Sequence, residues 1–383
     1  MVVKKMSNRI ELNDKVLIWA IKNSKIDKVT LIKKFNSIDK WIKNDPSPTY
    51  NQVVELSNFL NVPFGYLLLD EPPNDEFEML DFRTIGTKEI NKPSRNLIDT
   101  VSDMKRRQEW MKNFLIQEGY EKNHLYNVLD NNDDIKKSVE LVRRIINLEN
   151  LWFLDIKNDY FKFIKELLSK NGILIMQNGI VRNNTYRKLD VDEFRGFCLT
   201  DMYAPLIFIN NNDSNNGKLF TLFHELIHVC LGEDTLYIDG LELNNKSEIF
   251  CNKIASELLI PTDYFLEMWN KNKSKIIIDK INELSYEFPV SNIAIARKSL
   301  DLKLINQDIY IEVEKKTNDV IKARKGSGGN FYNNNISRID KNFILALSNK
   351  ISNGESSFSD IYKLTGLKRN SFENIVKILE DVK

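Results

Sequence analysis

Apolar residues recur along most of this chain at intervals of three and four, the spacing that puts them on one face of a helix. Leu12, Val16, Leu17, Trp19, Ala20 and Ile21 form one stripe, and Val29, Leu31, Ile32 and Phe35 a second. Beyond the loop at 44–49 come Val53, Val54, Leu56, Phe59 and Leu60, so residues 12–69 read as a small helical module. A longer pattern over 95–117, through Leu97, Ile98, Val101, Met104, Trp110, Met111 and Phe114, predicts an amphipathic helix that clasps the domain after it. Its basic cluster Lys105, Arg106 and Arg107 offers an RNA-binding stripe as the alternative. Helices are expected over about 135–147 and 155–171, then strand-like runs at 172–176, 194–200 and 205–210. The last two read as a hairpin at the edge of a small antiparallel sheet. Helical rhythm returns at 247–261 and as helix, turn, helix over 281–297, and a compact helical end piece is expected over 343–379. The class is α+β, mostly helical.

One helix breaks the polar and apolar alternation. Residues 219–231 are apolar on nearly every side except at His224, Glu225 and His228, two of the three histidines in the chain. Residues four apart lie one above the other on a helix, so the two imidazoles can aim at one Zn²⁺. Glu225, about 100° further round, can reach a water beside the metal without being a ligand. The alternative is a pair of core histidines bonded to carbonyls or carboxylates.

A tetrahedral site needs a third ligand. Glu248 offers one, on a helix with Ser247 as N-cap and Pro261 at its end, sharing a face with Cys251, Asn252, Ala255 and Leu259. Glu257 is the rival, expected on the opposite, solvent side. A first-turn acid favoured by the helix dipole is the other account of Glu248. Asn252, one turn on, is placed to fix the tautomer of a ligand histidine.

His224-Glu-Leu-Ile-His228, then Glu248-Ile-Phe-Cys-Asn252 and Ala255-Ser-Glu-Leu-Leu-Ile-Pro261, resemble the ImmA/IrrE metallo-endopeptidases. That family's second motif reads E-x-x-A-N-x-F-A-x-x-L-L-x-P, and here Cys251 and Ile254 replace its Ala and Phe. The resemblance implies a zincin-like domain, Zn²⁺ held by His224, His228 and Glu248, and Glu225 as the catalytic carboxylate. It leaves the oxyanion partner open among Arg195, Tyr203, Tyr237 and Tyr264. It also implies a protein substrate: a transcriptional repressor, or a toxin or antitoxin partner, in a mobile-element or stress-response setting.

Residues 48–66 resemble the closing helices of XRE-type helix-turn-helix regulators. The interval 32–40 is short for a helix end, a turn and a separate recognition helix, so the head reads as a degenerate version. Charge nearly cancels over the chain, 55 basic against 54 acidic residues, yet residues 1–50 hold eleven Lys or Arg against five Asp or Glu. Lys28, Lys33, Lys34, Lys40 and Lys43 are the candidate phosphate contacts for DNA. The equal alternative is a head kept for packing, dimerisation or partner binding.

The expected organisation is a helix-turn-helix-like head at 1–75, a linker and clasping helix at 76–133, a metallopeptidase domain at 134–305 and a helical C-terminal region at 306–383. No signal peptide or membrane-length apolar run is apparent, and Cys198, Cys230 and Cys251 sit in apolar settings, so reduced thiols and a cytoplasmic location are expected, without a membrane partner. Two functions follow. One is a zinc endopeptidase that cuts a regulatory protein. The other is a non-proteolytic regulator or antitoxin, binding DNA or a partner, with a structural zinc.

Overall fold

The computed structural model describes residues 9–24, 26–60, 62–73, 93–156, 159–237, 246–322 and 337–381. The start of the expected linker and clasping segment, residues 76–92, lies outside the described residues, as does the glycine-rich stretch 326–329. Contacts divide the chain into two compact units, 1–80 with 89–99, and 81–88 with 100–383.

In the first unit, α1 (Asp14–Asn23), α2 (Lys28–Lys34), α3 (Ile38–Ile42) and α4 (Tyr50–Leu60) enclose a core that includes Leu17, Leu31, Phe35, Trp41, Leu56 and Leu60. Asn13 and Asp27 cap the first two helices through their side chains. Asn44 ties the loop before α4 to the chain ahead of α1, donating to the Leu12 carbonyl at 2.8 Å and accepting from its N–H at 3.1 Å. The interval 32–40 holds the end of α2, a turn and only the start of α3, which runs to Ile42 and has five residues. It fits because Phe35 and Ile38 both drop into the core across the turn. The expected second stripe is thinner than its sequence: Val29 and Ile32 are exposed, and Leu31 is the one buried residue of α2, since a seven-residue helix turns too few side chains inward.

In the second unit, β1 (Leu174–Asn178), β2 (Gly196–Leu199), β3 (Leu206–Asn210) and β4 (Thr235–Tyr237) form one sheet in the order β1-β3-β2-β4. The sheet is mixed, where an antiparallel one was expected: β1 pairs with β3 in parallel, while β2 is antiparallel to both β3 and β4. The β2–β3 hairpin is therefore interior, and the edges are β1 and β4, which corrects the expected edge hairpin. A hairpin read from sequence does not say which of its strands meets a third.

Side chains alternate across this sheet. Ile175, Ile207, Ile209 and Cys198 face a core shared with α8 (Asn215–Leu231) and α9 (Lys246–Leu259). That core also takes in α6 (Ile135–Ile146) and α7 (Tyr160–Lys170) through Val142, Ile146, Ile164 and Leu168. The opposite face carries Met176, Phe208 and Phe197, the two phenylalanines stacked with ring centroids 5.1 Å apart. Across that face runs the part of α5 (Arg95–Gln117) that belongs to this unit, with Gln108 Nε2 donating to the Leu199 carbonyl at 2.7 Å and the Ala204 carbonyl at 3.1 Å. α5 is thus fastened to the sheet at Gln108. The C-terminal helices close against it, Trp110 meeting Phe343 edge-on at 5.4 Å.

All three cysteines are buried free thiols, as their apolar settings suggested. Among the described residues no helix is long and apolar enough to cross a membrane.

Gly196 permits the close approach of sheet and helix. A Cβ there would lie 2.5 Å from Thr221 Cγ2 on α8 and 2.9 Å from the Phe208 carbonyl oxygen. Gly196→Ala should cost about 1–3 kcal/mol, because the backbone oxygen has no rotamer with which to yield; a fall in the urea midpoint at unchanged slope is the expected reading.

Candidate metal centre

The chain passes α8 through a place where polar groups are expensive. Ser214 caps it, accepting from the Gly217 N–H at 3.0 Å, and Gly232 ends it in the left-handed conformation at φ 72°. Between these ends His224 and Glu225 are 0% exposed and His228 1%. Such groups are stable only if something pairs them.

Neighbouring elements supply the partners. Glu248, in the first turn of α9, brings its two carboxylate oxygens to His224 Nε2 at 3.1 Å and His228 Nε2 at 3.3 Å. The two Nε2 atoms are themselves 3.1 Å apart. Asn252, one turn further along α9, has its Oδ1 2.9 Å from His224 Nδ1 and can accept a hydrogen bond from it, which holds the ring with Nε2 towards Glu248 and His228. Glu225 Oε2 accepts from the Thr235 hydroxyl at 2.7 Å, while its Oε1 is buried with no partner among the described residues. His228 Nδ1 has none either, the nearest carboxylate oxygen, Glu233 Oε2, standing off at 3.7 Å.

Burial pushes the Glu225 carboxyl up from its ordinary value, against the pull of both imidazoles and Thr235. Burial also opposes ionisation of Glu248, but hydrogen bonds from His224 and His228 outweigh it and hold that carboxyl well below the usual range. Positive charge is therefore favoured where the three side chains meet.

Two imidazole nitrogens and a carboxylate oxygen that lie within 4.8 Å of one another can hold a metal ion. Ligands at zinc distances sit at the corners of a tetrahedron with edges of about 3.3–3.6 Å. The separations of 3.1–3.3 Å come close to that without rearrangement. The residues present fit a metal.

The sequence-based candidates divide accordingly. His224, Glu225, His228, Glu248 and Asn252 come together. Glu257 does not join them and, contrary to expectation, does not face open solvent: it accepts from the Thr262 N–H at 2.8 Å and pairs with Lys298 Nζ at 2.9 Å, fastening α9 to the helix Asn292–Asp301. His124 is exposed beside Asn171. Arg195 pairs with Asp213 at 2.9 Å, Tyr264 packs on Phe153 and Phe288, Tyr203 is half-buried, and the Tyr237 side chain lies outside the described residues. In the other unit Lys28, Lys33, Lys40 and Lys43 are exposed, and Lys34 is engaged by Glu55 at 2.8 Å.

Sequence reasoning missed Thr235, and with it the chain of Asn131, Ser247 and Glu233, linked at 3.0 and 3.1 Å, that leads towards His228. Its one signal was a β-favouring triplet, Thr235-Leu-Tyr237, three residues after the glycine that stops α8.

Residues 170–299 match the family model of the IrrE N-terminal-like domain (Peptidase_M78). The IrrE-like stretch contains all four strands and every residue of the metal centre, and is about a third of the chain. Among curated proteins nothing matches.

Replacing Asn252 by Ala should lower divalent-metal affinity about 10- to 100-fold by freeing the His224 ring, whereas Glu257→Ala should leave it unchanged and lower only thermal stability. Competition with a chromophoric chelator measures the first and calorimetry the second.

Proposed function

We propose that this chain is a zinc-dependent endopeptidase, with His224, His228 and Glu248 holding the metal and Glu225 as the catalytic carboxylate in a zincin-like domain. What carries the reading is Glu225 Oε1, a fully enclosed carboxylate oxygen that lies beside three metal-binding atoms and has no partner among the described residues. Such an oxygen is costly to stability and has a use only if a proton is to be placed on it. The IrrE-like stretch supports the same class of chemistry.

When bound, Zn²⁺ supplies Lewis acidity towards a carbonyl oxygen and brings water within reach of deprotonation near neutral pH. Thr235 holds Oε2 of Glu225, which fixes Oε1 as the acceptor. Oε1 takes the proton of the attacking water and returns it to the departing amine. Asn252 keeps the His224 ring turned so that Nε2 remains a ligand. The substrate class that suits the resemblance is a protein regulator: a repressor, or a toxin or antitoxin partner.

A second reading has one observation in its favour. Glu248 is 7% exposed and the other three groups 1% or less, an enclosure that suits a metal fastening α8 to α9. On that reading the chain is a binding protein, its exposed lysines Lys28, Lys33, Lys40 and Lys43 available to DNA phosphates or to a partner.

Glu225→Gln separates the two. The variant should keep about one zinc per chain, and new protein N-termini generated in cells expressing the wild type should vanish with it. Identical N-termini in both, at equal zinc content, would end the peptidase reading and leave the structural one.

A further inference from the structure

The sheet face turned away from α8 carries a second polar feature that the metal centre does not use. Arg107, on α5, is 8% exposed, yet among the described residues its Nε–H finds no acceptor, and its Nη1 meets the Met176 thioether sulfur at 3.7 Å. Its nearest carboxylate is committed elsewhere. Asp103 is gripped by Arg182, Nε to Oδ2 and Nη2 to Oδ1, both at 2.7 Å, and by Arg106. A buried guanidinium without an anion of its own costs several kcal/mol unless something outside the fold completes it.

The space beside it is open to receive that something. Arg107 lines a cleft whose walls include Asp103, Arg182, Asn183, Phe208 and Arg338. Three guanidinium groups and one carboxylate, that of Asp103, are the charged side chains among the residues that line it. Burial lowers the Arg107 guanidinium to about 10, which still leaves it charged at neutral pH. Arg338, half-buried, stands at the rim with its Nη1 3.4 Å from Asn183 Oδ1. Asn183 in turn donates to the Gly366 carbonyl at 2.9 Å, which ties the wall after β1 to the C-terminal helices.

We propose that this cleft binds a phosphate dianion, free or as the monoester of a small molecule, with Arg107 as its central ligand. A lining rich in guanidinium groups, one of them buried with an unsatisfied N–H, suits an anion, and the planar fork of a guanidinium presents paired N–H donors to phosphate oxygens. The site is separate from the metal centre: Phe208 lines the cleft and Met176 meets Arg107 on the same face of the sheet, while their β3 and β1 neighbours Ile207 and Ile175 face α8. It does not depend on the peptidase reading, and the two can fail independently.

Isothermal titration of the full chain with inorganic phosphate, ribose 5-phosphate, ribose and succinate tests it, with metal content followed in parallel. Saturable binding of phosphate or of ribose 5-phosphate is expected, and the tighter of the two identifies the free or the esterified source. Arg107→Met should weaken that binding at least about tenfold, as the loss of charge-assisted hydrogen bonds implies, while zinc content stays unchanged. Without phosphate its melting temperature should equal or exceed that of the wild type, because a buried charge has been removed. Arg338→Gln, at the rim, should weaken binding several-fold and serves if Arg107→Met does not fold. Absence of saturable binding by either phosphate probe, tighter binding of succinate, or affinity within twofold of wild type in the variants would overturn the proposal.

Discussion

The structure depends on carrying polar side chains through an apolar core. From Thr221 to Leu231, α8 is buried between the sheet on one side and α7 and α9 on others, so the polar groups it carries there are cut off from solvent. Each polar group it carries must find its partner on a neighbouring element, and that requirement sets where those elements sit. α9 must arrive with Glu248 and Asn252 facing α8, and β4 must arrive with Thr235 facing Glu225. The apolar packing of the domain provides the cohesion, at roughly 25 cal/mol for each Å² of apolar surface buried. The polar cluster selects which arrangement of that packing is adopted.

Much of this was legible in the sequence because the signals are local. His224 and His228 share a helix, as do Glu248 and Asn252, so each pair's common face follows from the helical period alone. That the two pairs meet was inferred from chemistry and from a motif resemblance. The amphipathic patterns gave the helices well: 95–117 and 135–146 fall within a residue of expectation.

What was not legible depends on long-range pairing. The order and direction of the strands rest on β3 choosing β1 as its second neighbour, and no period in the chain encodes that choice. β4 is three residues long, too short to stand out from the loop around it. Glu257 is expected in solvent because it lies on the side of its helix opposite Glu248, yet its partner Lys298 lies forty-one residues on, in another helix. Arg107 read as one of three basic residues in a row, and only the fold distinguishes it from its neighbours by burying it. Val29 and Ile32 fail in the opposite sense, apolar residues on a helix too short to bury them.

The turn after α8 carries a constraint of length. Gly232 stops the helix and only Glu233 and Asp234 separate it from β4, with Asp234 anchored to the Thr200 N–H and hydroxyl, both at 2.5 Å. Because side chains alternate along a strand, a single insertion or deletion between Gly232 and Thr235 would turn the threonine hydroxyl to the far side of the sheet and present its neighbour to Glu225. Substitutions in this connection can be absorbed, but a change in its number of residues cannot. Chains sharing this arrangement should therefore vary in the composition of that turn while keeping its length.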